Sequence, residues 1–247
     1  MKNLIVTITL PLTFLVVSLC GQRAVAENWQ AWRGPRGDGT SSEKDLPSKW
    51  NGKTGENIAW KTAIPGVGHA SPITWEDRIF TISTIEDTGE RVLLCLNRKD
   101  GSTRWQRTVF KGPLETIHRL NSRASSTPAT DGKLIFVTFL KVDGRTIPAP
   151  NVSAPRLITP GTILVVAYDL EGEKKWSAEI GGFISAHGLN ACPVLYRDLV
   201  IINGDHDGDG YIAALEQNTG KVRWKIDRKN KTRSYVTPII REIAGRT

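Results

Sequence analysis

Apolar and polar positions along this chain fall into short β-type runs separated by turn formers, and the same plan recurs three times. The first unit reads Ser71-Pro72-Ile73-Thr74-Trp75, Arg78-Ile79-Phe80-Thr81-Ile82, Val92-Leu93-Leu94-Cys95-Leu96-Asn97, then Asp100-Gly101 and Arg104-Trp105. The second reads Thr127-Pro128-Ala129, Leu134-Ile135-Phe136-Val137, Leu164-Val165-Val166-Ala167-Tyr168-Asp169, Glu171-Gly172 and Lys175-Trp176. The third reads Cys192-Pro193-Val194-Leu195, Leu199-Val200-Ile201-Ile202, Tyr211-Ile212-Ala213-Ala214-Leu215-Glu216, Thr219-Gly220 and Arg223-Trp224. Runs this short, rich in β-branched and aromatic residues and closed by Gly, Asp or Asn, predict strands. Each unit therefore predicts four antiparallel strands. Proline at the head of each first strand fits, because that position can spare its N–H.

Self-similarity at this period marks a repeat architecture, and four strands per unit make one blade of a β-propeller. The predicted fold is all-β and incomplete: blades at about 71–109, 126–180 and 191–227, with a lone strand at each end. At one end Ile58 to Ile64, around Trp60, has no preceding strands of its own. At the other, Val236-Thr237-Pro238-Ile239-Ile240 opens a fourth repeat. Propellers close with roughly four to eight blades, so further C-terminal blades are expected after Thr247. The intervals between Trp60, Trp105, Trp176 and Trp224 are similar except the middle one. Lys141 to Gly161, with Pro148, Pro150, Pro155 and Pro160, lengthens it and predicts an irregular excursion between two strands of the second blade.

Ahead of the repeats, Met1-Lys2-Asn3, an apolar run from Leu4 to Leu19 and Ala24-Val25-Ala26 predict a secretory signal peptide in 1–26, cleaved after Ala26. A membrane anchor is the alternative, although the run is shorter than the ~20 apolar residues of a spanning helix, and lipidation at Cys20 is a third. Residues 27–57 form a lead-in to the propeller at 58–247. A periplasmic or secreted location follows. The chain carries a net charge of +8, and cleavage removes only Lys2 and Arg23. The charge is spread rather than gathered in a stripe, which argues against a nucleic-acid partner. An exported compartment permits a disulfide. Cys95 and Cys192, however, fall in different blades and read as two separate buried thiols. No Cys-x-x-Cys-His haem attachment is present.

The third unit, with Ala214, Glu216, Thr219-Gly220 and Trp224, resembles the Ala-x-Asp-x-x-Thr-Gly-x-x-x-Trp signature of the pyrroloquinoline quinone (PQQ)-like propeller family, with glutamate in place of aspartate. The second carries Ala167, Asp169, Gly172 and Trp176, and the first carries Cys95, Asn97, Gly101 and Trp105. The resemblance implies that Trp60, Trp105, Trp176 and Trp224 dock between neighbouring blades. The family includes PQQ-dependent dehydrogenases, the propeller lipoprotein of the outer-membrane β-barrel assembly machine and other exported bacterial proteins. The lead-in Trp29-Gln30-Ala31-Trp32-Arg33-Gly34-Pro35 is similar to that of the last group. In the dehydrogenases the resemblance implies PQQ, an adjacent cysteine pair over it and a calcium site. No adjacent cysteines occur here.

Two constellations could carry chemistry. Asp205-His206-Asp207-Gly208-Asp209-Gly210 with Glu216 matches a calcium-loop pattern. Glu216 is nevertheless the repeat counterpart of Asn97 and Asp169, so only a partial site of Asp205, Asp207 and Asp209 remains, against the alternative of a solvated acidic hairpin. Secondly, His69, Arg123, His187, Asn190, Arg233 and Tyr235 all lie just before a blade's first strand. Connectors between blades fall on one face around the axis, so these side chains predict a funnel suited to an anionic or planar ligand through guanidinium contacts and stacking. They could equally cap interblade backbone groups. No Ser/His/Asp set stands out. The sequence thus favours an exported, non-catalytic scaffold binding a protein, peptide or envelope polymer, with a quinoprotein dehydrogenase fragment using PQQ and calcium as the alternative.

Overall fold

The computed structural model describes residues 26–228 and 231–245. The apolar leader through Val25, including Cys20, lies outside the described residues. Among those residues the chain forms strands and no helix.

The first four-stranded sheet consists of β1 (Ile73–Trp75), β2 (Arg78–Ile85), β3 (Glu90–Asn97) and β4 (Thr103–Lys111), hydrogen-bonded in that order. The second is built from β5 (Ala129–Thr130), β6 (Leu134–Val142), β9 (Gly161–Asp169) and β10 (Lys174–Phe183). The third follows as β11 (Val194–Tyr196), β12 (Leu199–Gly204), β13 (Tyr211–Glu216) and β14 (Val222–Asp227). All neighbours are antiparallel. Three blades stack as an open arc, and the sheets do not close into a ring.

The middle blade explains its own sequence. Ile163, Val165 and Ala167 of β9 enter the core shared with the third blade, while Leu164, Val166 and Tyr168 enter the core shared with the first. Both faces of this sheet are buried, so β9 reads as an unbroken apolar run rather than an alternating one.

The indole contacts repeat from blade to blade. Trp105 of β4 donates its Nε1–H to the Leu170 carbonyl at 3.1 Å, and Trp176 of β10 donates to the Gln217 carbonyl at 2.7 Å. Trp60 donates to the Arg98 carbonyl at 3.1 Å. Each ring lies flat on the turn of the following blade at Gly172, Gly220 or Gly101. These glycines have positive φ, and a Cβ at any of them would collide with the indole. Glycine is needed there both for the backbone conformation and for the close approach. Trp224 is half-buried, and its indole N–H has no hydrogen-bond partner among the described residues.

Two stretches depart from the expected pattern. The Pro-rich insert between β6 and β9 is not wholly irregular. It contains a two-stranded ladder of β7 (Ile147–Pro148) and β8 (Leu157–Ile158), with Ile147 opposite Ile158. The terminal segments around Trp60 and Pro238 join no ladder, and Trp60 is held by its indole rather than by strand pairing. The lead-in crosses the first strands of the blades: Trp29 bridges Thr74 of β1, and the Thr130 N–H of β5 donates to the Gln30 carbonyl at 2.9 Å.

Candidate binding site on the connector face

Antiparallel order places the β2–β3 loop, the insert, the β12–β13 loop and the blade-to-blade connectors at one end of the sheets. The connectors carry a repeat of their own. Three residues before each strand-leading proline stand His69, Ser125, Asn190 and Tyr235, and one residue before it stand Ser71, Thr127, Cys192 and Thr237. The second set stitches the blades together. The Ser71 N–H donates to Thr127 Oγ1 at 3.1 Å, and the Thr127 N–H donates to Cys192 Sγ at 3.2 Å. Cys192 therefore occupies a hydroxyl position. Burial pushes its thiol pKa up, so it is a neutral acceptor rather than a reactive thiolate. Cys95 is likewise free and buried, its pKa pushed up to about 11 by desolvation.

The first set converges. His69, Ser125, Asn190 and Tyr235 line a single cavity of about 170 Å³ at the axis, together with Asn121, Thr127 and Cys192. Trp32, 40% exposed, closes it from the lead-in. The sequence assigned no role to Trp32, because nothing periodic links the lead-in to the connectors.

Beside this cavity a second cleft of about 460 Å³ is lined by His118, His187, Arg233 and the insert residues Asn151 to Arg156. The His118 and His187 rings stack at 5.5 Å with 15° between planes. Tyr235 flanks His187 at 5.9 Å and joins the two clefts. Ser185 Oγ shares a hydrogen bond of 3.1 Å with the Tyr235 hydroxyl and accepts the His187 N–H at 3.1 Å. His187 Nδ1 is buried without a partner. Burial, then the charges of Arg233, Arg156 and His118, holds the His187 imidazole below its usual pKa.

Of the expected funnel residues, Arg123 lines neither cleft. Its guanidinium turns to Glu86 and to the Glu115 carbonyl, a structural clamp on the first connector. His69, Asn190 and Tyr235 meet at the axis, while His187 and Arg233 meet in the neighbouring cleft.

Asp205, Asp207 and Asp209 do not form one donor set. Asp207 is buried and accepts from Arg233 at 2.6 Å, Asp205 is buried 3.5 Å from Arg228, and exposed Asp209 faces Lys231 at 3.3 Å. With two of its three carboxylates buried, the hairpin is not the solvated acidic turn that its composition suggests. Glu216 lies on another turn, accepting from Thr219 and Arg223. Among the described residues no three His, Cys, Asp or Glu side chains gather as metal ligands. Without that set, and with the two cysteines separate, the described residues do not fit a calcium–quinone centre.

No family model matches the sequence, and no curated protein matches it. Solved structures do. The quinohemoprotein alcohol dehydrogenase from Comamonas testosteroni aligns over 83% of this chain and 28% of its own, with 15% identity and a TM-score of 0.53. The quinohemoprotein alcohol dehydrogenase ADHIIG from Pseudomonas putida HK5 aligns over 81% of this chain and 26% of its own, with 19% identity and a TM-score of 0.49. BamB from Moraxella catarrhalis aligns over 68% and 54%, with 15% identity and a TM-score of 0.30. The chain thus spans about a quarter of the length of the two dehydrogenases. At these identities the likeness concerns fold alone: a β-propeller, of which the described residues form an open arc of three blades.

Proposed function

We propose that this chain is an exported binding module, a propeller scaffold that takes an anionic or planar group of a protein, peptide or envelope polymer into its axial funnel, and that it is not the catalytic part of a quinoprotein. The observation that supports the reading is the convergence of His69, Ser125, Asn190 and Tyr235 on one cavity closed by Trp32. Equivalent positions ahead of four successive prolines contribute hydrogen-bonding groups and two aromatic rings, a lining suited to recognition. The one thiol there, Cys192, is not activated, and the aspartates that could hold a metal are paired with cations.

The Glu27 backbone N–H donates to the Glu43 carboxylate. Cleavage after Ala26 would turn that donor into an ammonium and the contact into an ion pair. N-terminal sequencing of the secreted protein should therefore begin at Glu27.

The functional reading is tested by titrating the protein with PQQ, used as a planar tricarboxylate probe, with and without Ca²⁺. Tryptophan emission reports binding, and an alcohol with a redox dye reports turnover. The expected result is a saturable change in emission that Trp32→Ala reduces, with no dye reduction. Calcium-dependent dye reduction would overturn the scaffold reading in favour of a dehydrogenase. An emission change equal in Trp32→Ala would place the ligand outside the funnel.

A further inference from the structure

We infer that the cleft between the insert and the second connector is an oxyanion-binding subsite, distinct from the axial cavity, that holds a phosphate, sulfate or carboxylate group between Arg156 and the stacked His118–His187 pair.

The cleft has donors in excess of acceptors. Arg156 projects from the insert and has no carboxylate partner among the described residues, whereas the nearby Arg145 is tied to Asp143. Arg233 is held in place from behind by Asp207 and by the Asn151 carbonyl at 3.0 Å, which leaves it rigid rather than free to fold away. A guanidinium fork prefers planar or tetrahedral oxyanions, which it can meet with two N–H groups at once. No carboxylate lines the cleft; Asp207 lies behind Arg233.

The imidazole pair points the same way. Two rings stacked at 5.5 Å beside two guanidinium groups form a poor place for a further positive charge. His118 Nδ1 accepts the Leu120 N–H at 3.2 Å, which leaves its Nε2 as the donor. His187 Nδ1 is buried and has no hydrogen-bond partner among the described residues. A buried polar atom without a partner costs free energy, and an anion in the cleft would let a protonated His187 offset that cost. The groups facing His187 are Ser185 on its own connector, His118 and Asn121 on the first connector, Arg156 from the insert, Arg233 and Tyr235 from the C-terminal segment, and Asp207 behind Arg233. Asp207 is the one carboxylate among them, and Arg233 already pairs with it.

The pH dependence follows with a definite sign. In the free protein the imidazole pKa lies below its usual value, so His187 is neutral near pH 7. A bound oxyanion favours the imidazolium, so binding takes up a proton and the affinity rises as pH falls. The pH effect belongs to His187, while the bulk of the affinity comes from Arg156 and Arg233.

Calorimetric titration of the whole protein with inorganic phosphate, sulfate and glucuronate between about pH 6 and pH 8 tests this. Arms with the three anions distinguish a phosphoryl, sulfuryl or uronate source. The expected result is millimolar or tighter binding of at least one, weakening by about tenfold across that range, equivalent to roughly 1.4 kcal/mol. Arg156→Gln, in an exposed loop where folding is not at risk, should weaken binding by about tenfold. His187→Gln should flatten the pH profile, and Arg145→Gln should change nothing. Unchanged affinity in Arg156→Gln, or no binding of any of the three anions at millimolar concentration, would overturn the inference. Trp32→Ala should leave this binding intact, so failure here and failure of the axial funnel are read from different variants.

Discussion

At the scale of single residues, the tryptophans are distinguished by what lies beneath them rather than by their place in the repeat. Trp176 is buried against the Gly220 turn and gives its N–H to a backbone carbonyl, so truncation leaves both a cavity and an unpaired acceptor. Trp176→Ala should destabilise the protein by about 3 to 5 kcal/mol in denaturant titration. Trp224 holds the same repeat position, but its indole N–H has no partner among the described residues. Its change to alanine should cost less than about 1 kcal/mol. Equal losses for the two variants would show that the indoles stabilise their own blades and do not join neighbours. The repeat was legible at this level because each indole leaves a signature in two places, the tryptophan itself and the glycine of the following blade on which its ring rests. Cys192 was legible only as a buried thiol, since its service as an acceptor for Thr127 depends on a neighbouring blade.

At the scale of elements, the strands could be read directly and their tethers could not. Strand alternation and turn dipeptides are local, so the three four-stranded blades followed from sequence. Arg91 interrupts that logic. It sits within the apolar run of β3 with its side chain fully buried, paired to Glu115 and donating to the carbonyls of Gly89, Gly112 and Pro113. It also packs over the Phe110 ring, 5.0 Å from the centroid. A charge there reads as an edge or a solvent face, whereas it pins the β2–β3 loop to the first connector. Removing one member of a buried pair strands the other, and Glu115→Leu should cost roughly 3 to 5 kcal/mol. Pairing it with Arg91→Met should recover most of that loss, because a packed apolar pair avoids the desolvation of both ions. A double variant as unstable as the single one would mean that the backbone contacts of Arg91, not its charge partner, dominate. The lead-in could be named from the sequence, but its course over the blades could not, for a related reason. Its place across β1 and β5 rests on a few backbone bonds made far away in sequence, and its composition carries no period. The axial site was only partly legible in consequence: His69, Asn190 and Tyr235 could be named from the sequence, whereas Ser125 beside them and the Trp32 that closes the cavity could not.

At the scale of the whole molecule, the arc has two faces that the described residues leave uncovered. On the first blade, Ile64 and Val67 border a cleft of about 570 Å³ with Trp60, Ile79 and Ile82. On the third, Val222 and Ile226 of β14 are exposed, as are Val236, Ile239 and Ile243 of the segment that follows. The middle blade shows what such faces do when covered, since both of its sides pack into apolar cores. Contiguous exposed apolar surface of this kind drives association, and propeller blades with free faces have no ring to protect them. Residues 27–247 expressed alone should therefore self-associate in a concentration-dependent way and bind a hydrophobic dye, measured by light scattering and dye fluorescence. Ile239→Lys and Val222→Lys act on one face only, so together they should shift the weight-average mass toward the monomer without lowering the thermal midpoint. If the chain instead stays monomeric at high concentration with little dye bound, these two faces are satisfied by the chain itself, and the open arc is not its form in solution.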